Sequence, residues 1–188
     1  MELIDKRTIK LDKVKTELDS FLMDFIRILE KRTKYVIISG YISILFGRAR
    51  GTEDIDMIIE KIDKERFGRL YDELKKKGFY CLITDSPEDA YEQLTEKLAV
   101  RFAKRGSVIP NIEMKFAKTA LDRQTLNDNL TVIMPFGKLL ISHIEQQIAF
   151  KRYVLRSEKD LEDARHLENV FKPLIDKRKV HNYRKMIT

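Results

Sequence analysis

Two carboxylates stand two residues apart in the apolar run from Asp54 to Ile59. The β-branched and apolar residues of this run favour a strand, in which Asp is otherwise uncommon. Because side chains alternate along a strand, Asp54 and Asp56 point to the same face. Neighbouring carboxylates repel each other unless a cation bridges them, and hard oxygen ligands of this kind suit Mg²⁺ or Mn²⁺. The pattern predicts a strand that carries a metal site able to hold substrate phosphates.

The two acids alone also fit an edge strand with solvated side chains. They do not fit a calcium-binding EF-hand loop, because its sixth position requires Gly and here holds Ile59. The upstream residues favour the metal site. A short buried strand ending near Ile38 leads into Ser39-Gly40 and an apolar helical segment closed by Gly47. A strand, a small-residue turn and a helix N-terminus together bind phosphate through free backbone N–H groups.

The hydrophobic periodicity predicts a mixed α/β chain. Apolar residues recur at three- and four-residue steps, which is typical of amphipathic helices, or alternate with polar ones, which is typical of strands. Strands are predicted over 34–39, 54–60, 79–84, 98–103, 111–116 and 130–134, with 98–103 and 111–116 forming a hairpin. Helices are predicted over 10–31, 40–47, 64–77, from a cap at Ser86, 136–152 and 157–171.

This order of residues resembles the DNA polymerase beta superfamily of nucleotidyltransferases, and within it the branch of minimal and AbiEii-type transferases found in toxin–antitoxin systems. The residues that match the pattern are Ser39, Gly40, Gly47, Arg50, Thr52, Asp54 and Asp56. The later segment from Lys159 to Asp163 is similar to the Lys-Asp-x-x-Asp segment of those proteins. The resemblance covers roughly residues 34 to 171.

The resemblance implies a small mixed, twisted sheet flanked by helices, followed by a helical C-terminal part. The expected division is a nucleotidyltransferase core with an N-terminal helix over 1–134, a helical part over 135–171 and a basic tail over 172–188. The implied activity transfers a nucleotide from an NTP such as ATP to an acceptor that is tRNA or another RNA, a protein or a small molecule. Mg²⁺ or Mn²⁺ is the implied cofactor.

The resemblance also assigns roles to residues. Asp54, Asp56 and Glu113 would act as catalytic metal ligands, with Glu113 supplied by a neighbouring strand. The alternative for Glu113 is a position on the solvent face, and Lys115 on the same face would pair with it or reach a phosphate. Three sets of residues would contact the nucleotide: Ser39 and Gly40 through backbone N–H groups, Arg50 by charge, and Thr52. Arg50 serves equally well as an anchor for its loop, and Thr52 as a shaper of the turn into the strand.

Two departures from the family pattern keep a second class of function open. The small-residue pair is usually Gly-Gly or Gly-Ser, whereas here it is Ser39-Gly40. Relatives of the AbiEii type carry a Lys early in the helix that follows the strand corresponding to residues 130–134. Here His143 stands near that position, with Lys138 and Lys151 as candidate substitutes. The chain is therefore either an active transferase or an inactive module that binds RNA or a small protein partner, as a toxin–antitoxin component would.

The charge and composition of the chain limit its possible partners and its expected location. The chain carries a net charge of +7, and residues 172–188 hold six Lys or Arg against Asp176 alone, which supplies +5 of it. Such a segment either follows a nucleic-acid backbone or is a solvated tail. The single cysteine, Cys81, excludes a disulfide framework. No apolar run approaches the roughly 18 residues that a membrane-spanning helix needs, so we expect a cytoplasmic protein without a membrane partner.

Overall fold

Nine strands form one mixed sheet in the computed structural model, which describes residues 1–187. In chain order the strands are β1 (Glu2–Asp5), β2 (Thr8–Lys10), β3 (Tyr35–Ile37), β4 (Asp54–Ile59), β5 (Phe79–Cys81), β6 (Val100–Lys104), β7 (Asn111–Phe116), β8 (Leu130–Met134) and β9 (Gly137–Ile141). They lie in the order β1-β2-β8-β9-β3-β4-β7-β6-β5. The pairs β2–β8, β3–β9 and β4–β7 are parallel and the others antiparallel.

Eight α-helices connect or cover these strands in the described residues. They are α1 (Glu17–Leu29), α2 (Gly40–Leu45), α3 (Lys64–Lys76), α4 (Pro87–Thr95), α5 (Ala120–Asn127), α6 (Ile144–Phe150), α7 (Glu158–Val170) and α8 (Lys177–Ile187). A π-helix, Lys151–Leu155, continues α6. The predicted mixed sheet flanked by helices, with helices at the C-terminal end, is confirmed. No helix within residues 1–187 is both long enough and apolar enough to cross a membrane.

The two faces of the central strands are covered unequally. Ile37, Met57 and Ile59 point into the main hydrophobic core, which α1 and α3 cover. The alternate residues Val36 and Ile58 point the other way and form a small cluster with a residue of α5. Since side chains alternate along β4, Asp54 and Asp56 share this thinly covered face. The fold therefore carries its two acids away from the main core.

Several elements differ from the sequence predictions. The first helix begins at Glu17 rather than near residue 10, because Thr16 and Asp19 form a capping box that fixes its start. The hairpin of β1 and β2 and the helix α5 were missed. Residues 137–141, predicted as the start of a helix, form strand β9 and pair with both β8 and β3. The expected basic tail contains α8, whose Tyr183 is buried.

Candidate active site

Parallel pairing of β4 with β7 brings three carboxylates together. Asp56 stands opposite Glu113 in the register of the two strands, and Asp54 lies two residues before Asp56 on the same face. A carboxylate oxygen from each of the three acids lies within 4.8 Å of the other two. All three residues are half-buried. The structure thus assembles the metal-ligand set predicted from the sequence and keeps Glu113 on the face of the two aspartates.

The charge of this cluster is only partly balanced. Burial, followed by the charges of Asp54 and Glu113, raises the pKa of the Asp56 carboxyl to about 6. A hydrogen bond from the Ser39 side chain and the charge of Lys115 act in the opposite direction but are weaker. The cluster therefore favours a bound cation, or a proton on Asp56, over three bare carboxylates.

The ion-pair partner of Glu113 is Arg101 of β6. Its Nη2 and Nε atoms lie 2.5 Å and 2.9 Å from Glu113 Oε2. The sequence predicted the hairpin of these two strands but not its register, which places Arg101 directly opposite Glu113. Lys115 was expected either to pair with Glu113 or to reach a phosphate. It lines a cavity beside Asp56, and the ion pair of Glu113 is made with Arg101.

The Ser39-Gly40 turn is strained and tightly packed. Ser39 has a φ of 64°, an uncommon conformation for a residue with a side chain. Its backbone N–H donates to Gln147 Oε1 at 2.9 Å, so this group, predicted to face phosphate, already has a partner. A Cβ atom at Gly40 would lie 2.0 Å from Arg50 Nη2. Only glycine fits at this position while the Arg50 guanidinium stays in place.

Arg50 and Thr52 shape the loop that leads into β4. Arg50 Nε lies 3.3 Å from Asp163 Oδ1, an ion pair without hydrogen-bond geometry. The Thr52 hydroxyl donates to the backbone carbonyl of Asp54 at 2.9 Å. Both side chains thus make contacts within the protein. These contacts match the alternative readings of Arg50 as a loop anchor and of Thr52 as part of the turn.

Asp163, in the segment similar to Lys-Asp-x-x-Asp, is the centre of a buried ion cluster. Its side chain is 0% exposed and contacts Arg48, Arg50 and Lys151. Lys151 Nζ, 1% exposed, lies 2.7 Å from Asp163 Oδ2 and 3.3 Å from Asp160 Oδ1. Lys151 was proposed as a substitute for a phosphate-binding lysine. Its burial and its two acidic partners make it a structural cation instead.

His143, which stands near the position of the family's lysine, and the other substitute, Lys138, lie elsewhere in the fold. His143 precedes α6, and its Nε2 lies 3.0 Å from Asp128 Oδ1 in an interaction that links α6 to the end of α5. It lines a cavity with residues of the N-terminal hairpin. Lys138 lines a different cavity together with Tyr35 and Glu60. Neither is among the residues that line the cavity beside Asp56.

A cavity of about 190 Å³ opens beside Asp56. Ser39 and Lys115 line one side, and Gln146 and Gln147 of α6 another. In the sequence Gln147 stands at helical spacing from Ile144 and next to Ile148, and an amide among apolar residues on one side of a helix is the signal that could have indicated a role beyond packing. Gln147 is held between the Ser39 N–H and the Ser142 hydroxyl. Phe150 and Leu155, both exposed, complete an apolar wall.

Comparison with known proteins supports the fold. No protein-family model and no curated protein sequence matches the chain. Solved structures do match: an antigenic nucleotidyltransferase-like protein from Paracoccidioides brasiliensis is 13% identical, with a TM-score of 0.53 over 89% of this chain and 85% of the other. The antibiotic-resistance factor ANT(2'')-Ia is 14% identical, with a TM-score of 0.56 over 89% of each chain. The chain has a nucleotidyltransferase fold.

A third solved structure matches the same fold. The lincosamide antibiotic adenylyltransferase LnuA, solved with lincomycin bound, is 13% identical, with a TM-score of 0.53 over 84% of this chain and 99% of the other. At such identities the likeness establishes the nucleotidyltransferase fold and leaves the AbiEii-type branch a prediction from the motif. A functional role for the acids of β4 and β7 therefore rests on their own geometry.

Proposed function

We propose that this protein is a metal-dependent nucleotidyltransferase that transfers a nucleoside monophosphate from an NTP to an acceptor hydroxyl and releases pyrophosphate. The observation that carries the proposal is the cluster of Asp54, Asp56 and Glu113. Their oxygens lie within 4.8 Å of one another, beside a cavity, on the thinly covered face of a nucleotidyltransferase fold. Burial and the charges of Asp54 and Glu113 raise the pKa of Asp56 and cost the folded chain stability, and a bound cation would offset this cost.

The donor set fits Mg²⁺ or Mn²⁺. Carboxylate oxygens are the ligands these ions prefer, and the mutual repulsion of the acids is the property that a bound cation would relieve. Asp54, Asp56 and Glu113 would hold the metal. When bound, the metal would neutralise phosphate charge and lower the pKa of the attacking hydroxyl.

Other residues in and around the cavity would bind phosphate or hold the neighbouring turn and loop in place. Lys115 offers a cation to the phosphates from the same strand as Glu113. Gln147 holds the Ser39 turn in its strained conformation by accepting the Ser39 N–H. The ion pair of Arg50 with Asp163 keeps the loop before β4 in place. Phe150 and Leu155 give one side of the cavity an apolar surface.

Two observations favour a second candidate, a binding module without catalysis. Arg101 already neutralises Glu113, and the N–H of Ser39 is engaged by Gln147. Both groups were expected to be open to metal or phosphate. In this candidate the same face would bind RNA or a protein partner, and no nucleotide would be transferred.

Transfer of label separates the two candidates. The full chain is incubated with each α-³²P-labelled NTP, Mg²⁺ or Mn²⁺, and three acceptor pools: total RNA, cellular protein, and antibiotics. Antibiotics are included because LnuA is an antibiotic adenylyltransferase. We expect label on one acceptor class, lost with EDTA and at least about 100-fold weaker in Asp54→Asn.

The matched control is Asp72→Asn, an exposed aspartate on α3 whose loss should leave transfer unchanged. Absence of label with every NTP, metal and acceptor pool would support the binding module. Label that survives Asp54→Asn would exclude the three acids as the catalytic site.

A further inference from the structure

A second concave surface lies between the π-helix, α7 and α8. We call it the basic groove and define it by Arg152, Tyr153, Lys172, Lys177 and His181, which line it. Its volume is about 550 Å³. Pockets of roughly 300–1,000 Å³ hold drug-sized molecules, so the groove can take a nucleotide or two of a single strand but not a helical duplex.

The basic groove carries excess positive charge. Lys172 and Lys177 are exposed, and within residues 1–187 neither has a carboxylate oxygen within 4.0 Å. Arg152 is paired with Glu168, also in the groove, at 2.5 Å. The Arg184 guanidinium lies 4.6 Å from the centre of the Tyr153 ring. Cations interleaved with an aromatic ring are the combination that proteins use to hold single-stranded nucleic acid.

The basic groove and the cavity of the acids lie on opposite sides of one helical segment. Phe150 and Leu155 line the cavity beside Asp56, whereas Arg152 and Tyr153, between them in sequence, line the groove. A helix with its side chains is about 10–12 Å across. A stacked strand rises about 3.4 Å per nucleotide, so about three nucleotides cover that distance.

We propose that the basic groove binds the backbone of a single-stranded polynucleotide whose terminal hydroxyl lies beside Asp56 and is the acceptor. The second half of this proposal rests on the proposed nucleotidyltransferase function; the first half does not. In the reaction the terminal hydroxyl oxygen forms a bond to the α-phosphorus of the NTP. The bond from that phosphorus to the β-phosphate oxygen breaks, pyrophosphate leaves, and the hydroxyl proton passes to solvent.

Point substitutions test the groove better than removal of the basic segment. Tyr183 of α8 is buried, and the backbone N–H of Asp176 donates to Glu145 of α6 at 3.3 Å. Truncation after Phe171 would therefore uncover α6 and weaken the fold. Lys172 and Lys177 are exposed, so replacing them by Gln removes two charges without opening the core.

The experiment measures fluorescence anisotropy of a 5′-labelled 12-nucleotide RNA, and of the DNA of the same sequence, in EDTA and without NTP. The Lys172→Gln/Lys177→Gln variant should bind at least about tenfold more weakly at 50 mM salt, and its slope of log K against log salt should be shallower by about 1.4. The matched control is Lys64→Gln/Lys76→Gln, which removes two exposed cations of α3. It should bind as the wild type does.

Equal weakening by the two double variants would show a general charge effect and overturn the proposal. So would polyglutamate competing as well as the oligonucleotide at equal charge, since the groove would then suit an acidic protein. The RNA and DNA arms identify which polynucleotide is preferred. Asp54→Asn should bind the oligonucleotide normally and fail to extend it. If no nucleoside monophosphate is transferred while groove-dependent binding persists, the proposed transferase function fails and the polynucleotide site stands.

Discussion

Two clusters of charged residues in this fold contain the same kind of acid in opposite surroundings. At the carboxylate cluster, Asp54, Asp56 and Glu113 crowd together beside a cavity, and Arg101 pairs with one of them. At the second cluster, the single carboxylate of Asp163 is fully buried among three cations. Like charges dominate the first cluster and opposite charges the second.

The difference separates a cluster whose disruption destabilises the folded chain from one whose repulsion costs it stability. Removing one partner of a buried acid leaves an uncompensated buried charge. Crowded acids raise one another's pKa and are stable only when a proton or a cation joins them. The Asp163 cluster holds the loop before β4 in place through Arg50. This loop leads into the strand that carries Asp54 and Asp56 of the carboxylate cluster.

The largest effect is expected at the Asp163 cluster. Asp163→Asn leaves Lys151 buried with only the more distant Asp160 as its acidic partner. Breaking a buried pair costs about 3–5 kcal/mol, which lowers the melting temperature by roughly 10 °C for a chain of this size. Glu162→Gln removes an exposed partner of Arg48 and should cost less than about 1 kcal/mol. Equal losses in thermal denaturation would contradict the contrast between the two clusters.

At the carboxylate cluster we expect a substitution to stabilise the folded chain rather than destabilise it. The unfolded pKa of Asp56 is near 3.8 and the folded pKa about 6, so ionising Asp56 costs stability increasingly as pH rises from about 4 to about 6. Asp56→Asn has no such cost. In EDTA it should exceed the wild type by about 1–3 kcal/mol above pH 6 and match it near pH 4.

Urea denaturation at several pH values measures this difference, with Asp72→Asn, at an exposed aspartate of α3, as the matched control. A variant that unfolds more easily than the wild type at pH 8 would make Asp56 a structural residue.

A smaller effect links the two clusters. In Gly40→Ala the new Cβ would meet the Arg50 guanidinium, which Asp163 holds in place. Overpacking of this kind costs about 1–3 kcal/mol. Gly68→Ala in α3 meets nothing within 4 Å and should stabilise by up to about 1 kcal/mol. If Arg50→Ala does not remove the cost of Gly40→Ala in a double-mutant cycle, the packing of Gly40 on Arg50 is not its cause.

The smallest effect is expected at Arg101. Its exposed pair with Glu113 should contribute less than about 1 kcal/mol to stability. Its charge, however, competes with a metal for the same carboxylate, so Arg101→Gln should tighten Mn²⁺ binding about two- to fivefold. Arg69→Gln breaks an exposed pair with Glu65 and should leave Mn²⁺ affinity unchanged. Weaker Mn²⁺ binding by Arg101→Gln, measured by calorimetry, would show that Arg101 supports the site.

Much of the site follows from local sequence pattern. The period of two along β4 places Asp54 and Asp56 on one face, and the same period puts Glu113 and Lys115 on one face of β7. The contacts of Arg101 and Asp163 depend on strand register and on packing between residues far apart in sequence. Neither partner is encoded in a local pattern, so Arg101 was missed, and Arg50 was expected as a loop anchor without Asp163 being identified as its partner.

The misassigned elements have equally physical causes. Residues 137–141 form β9, but their apolar pattern runs without a break into that of α6, so the helical period was extended too far. The charged strands β1 and β2 show little hydrophobic alternation because they lie at the edge of the sheet. The basic segment was read as a tail because its charges conceal the few apolar residues, Tyr183 among them, that pack α8 onto the fold.

Direct titration of Mn²⁺ tests the central claim that the acids of β4 and β7 form a metal site. The free ion is followed by electron paramagnetic resonance at pH 7.5 in the wild type, Asp54→Asn and the control Asp72→Asn. We expect the wild type and Asp72→Asn to bind alike, and Asp54→Asn to bind at least about tenfold more weakly while unfolding no more easily in EDTA. Equal Mn²⁺ affinity in all three proteins, or no binding by the wild type at millimolar Mn²⁺, would contradict it.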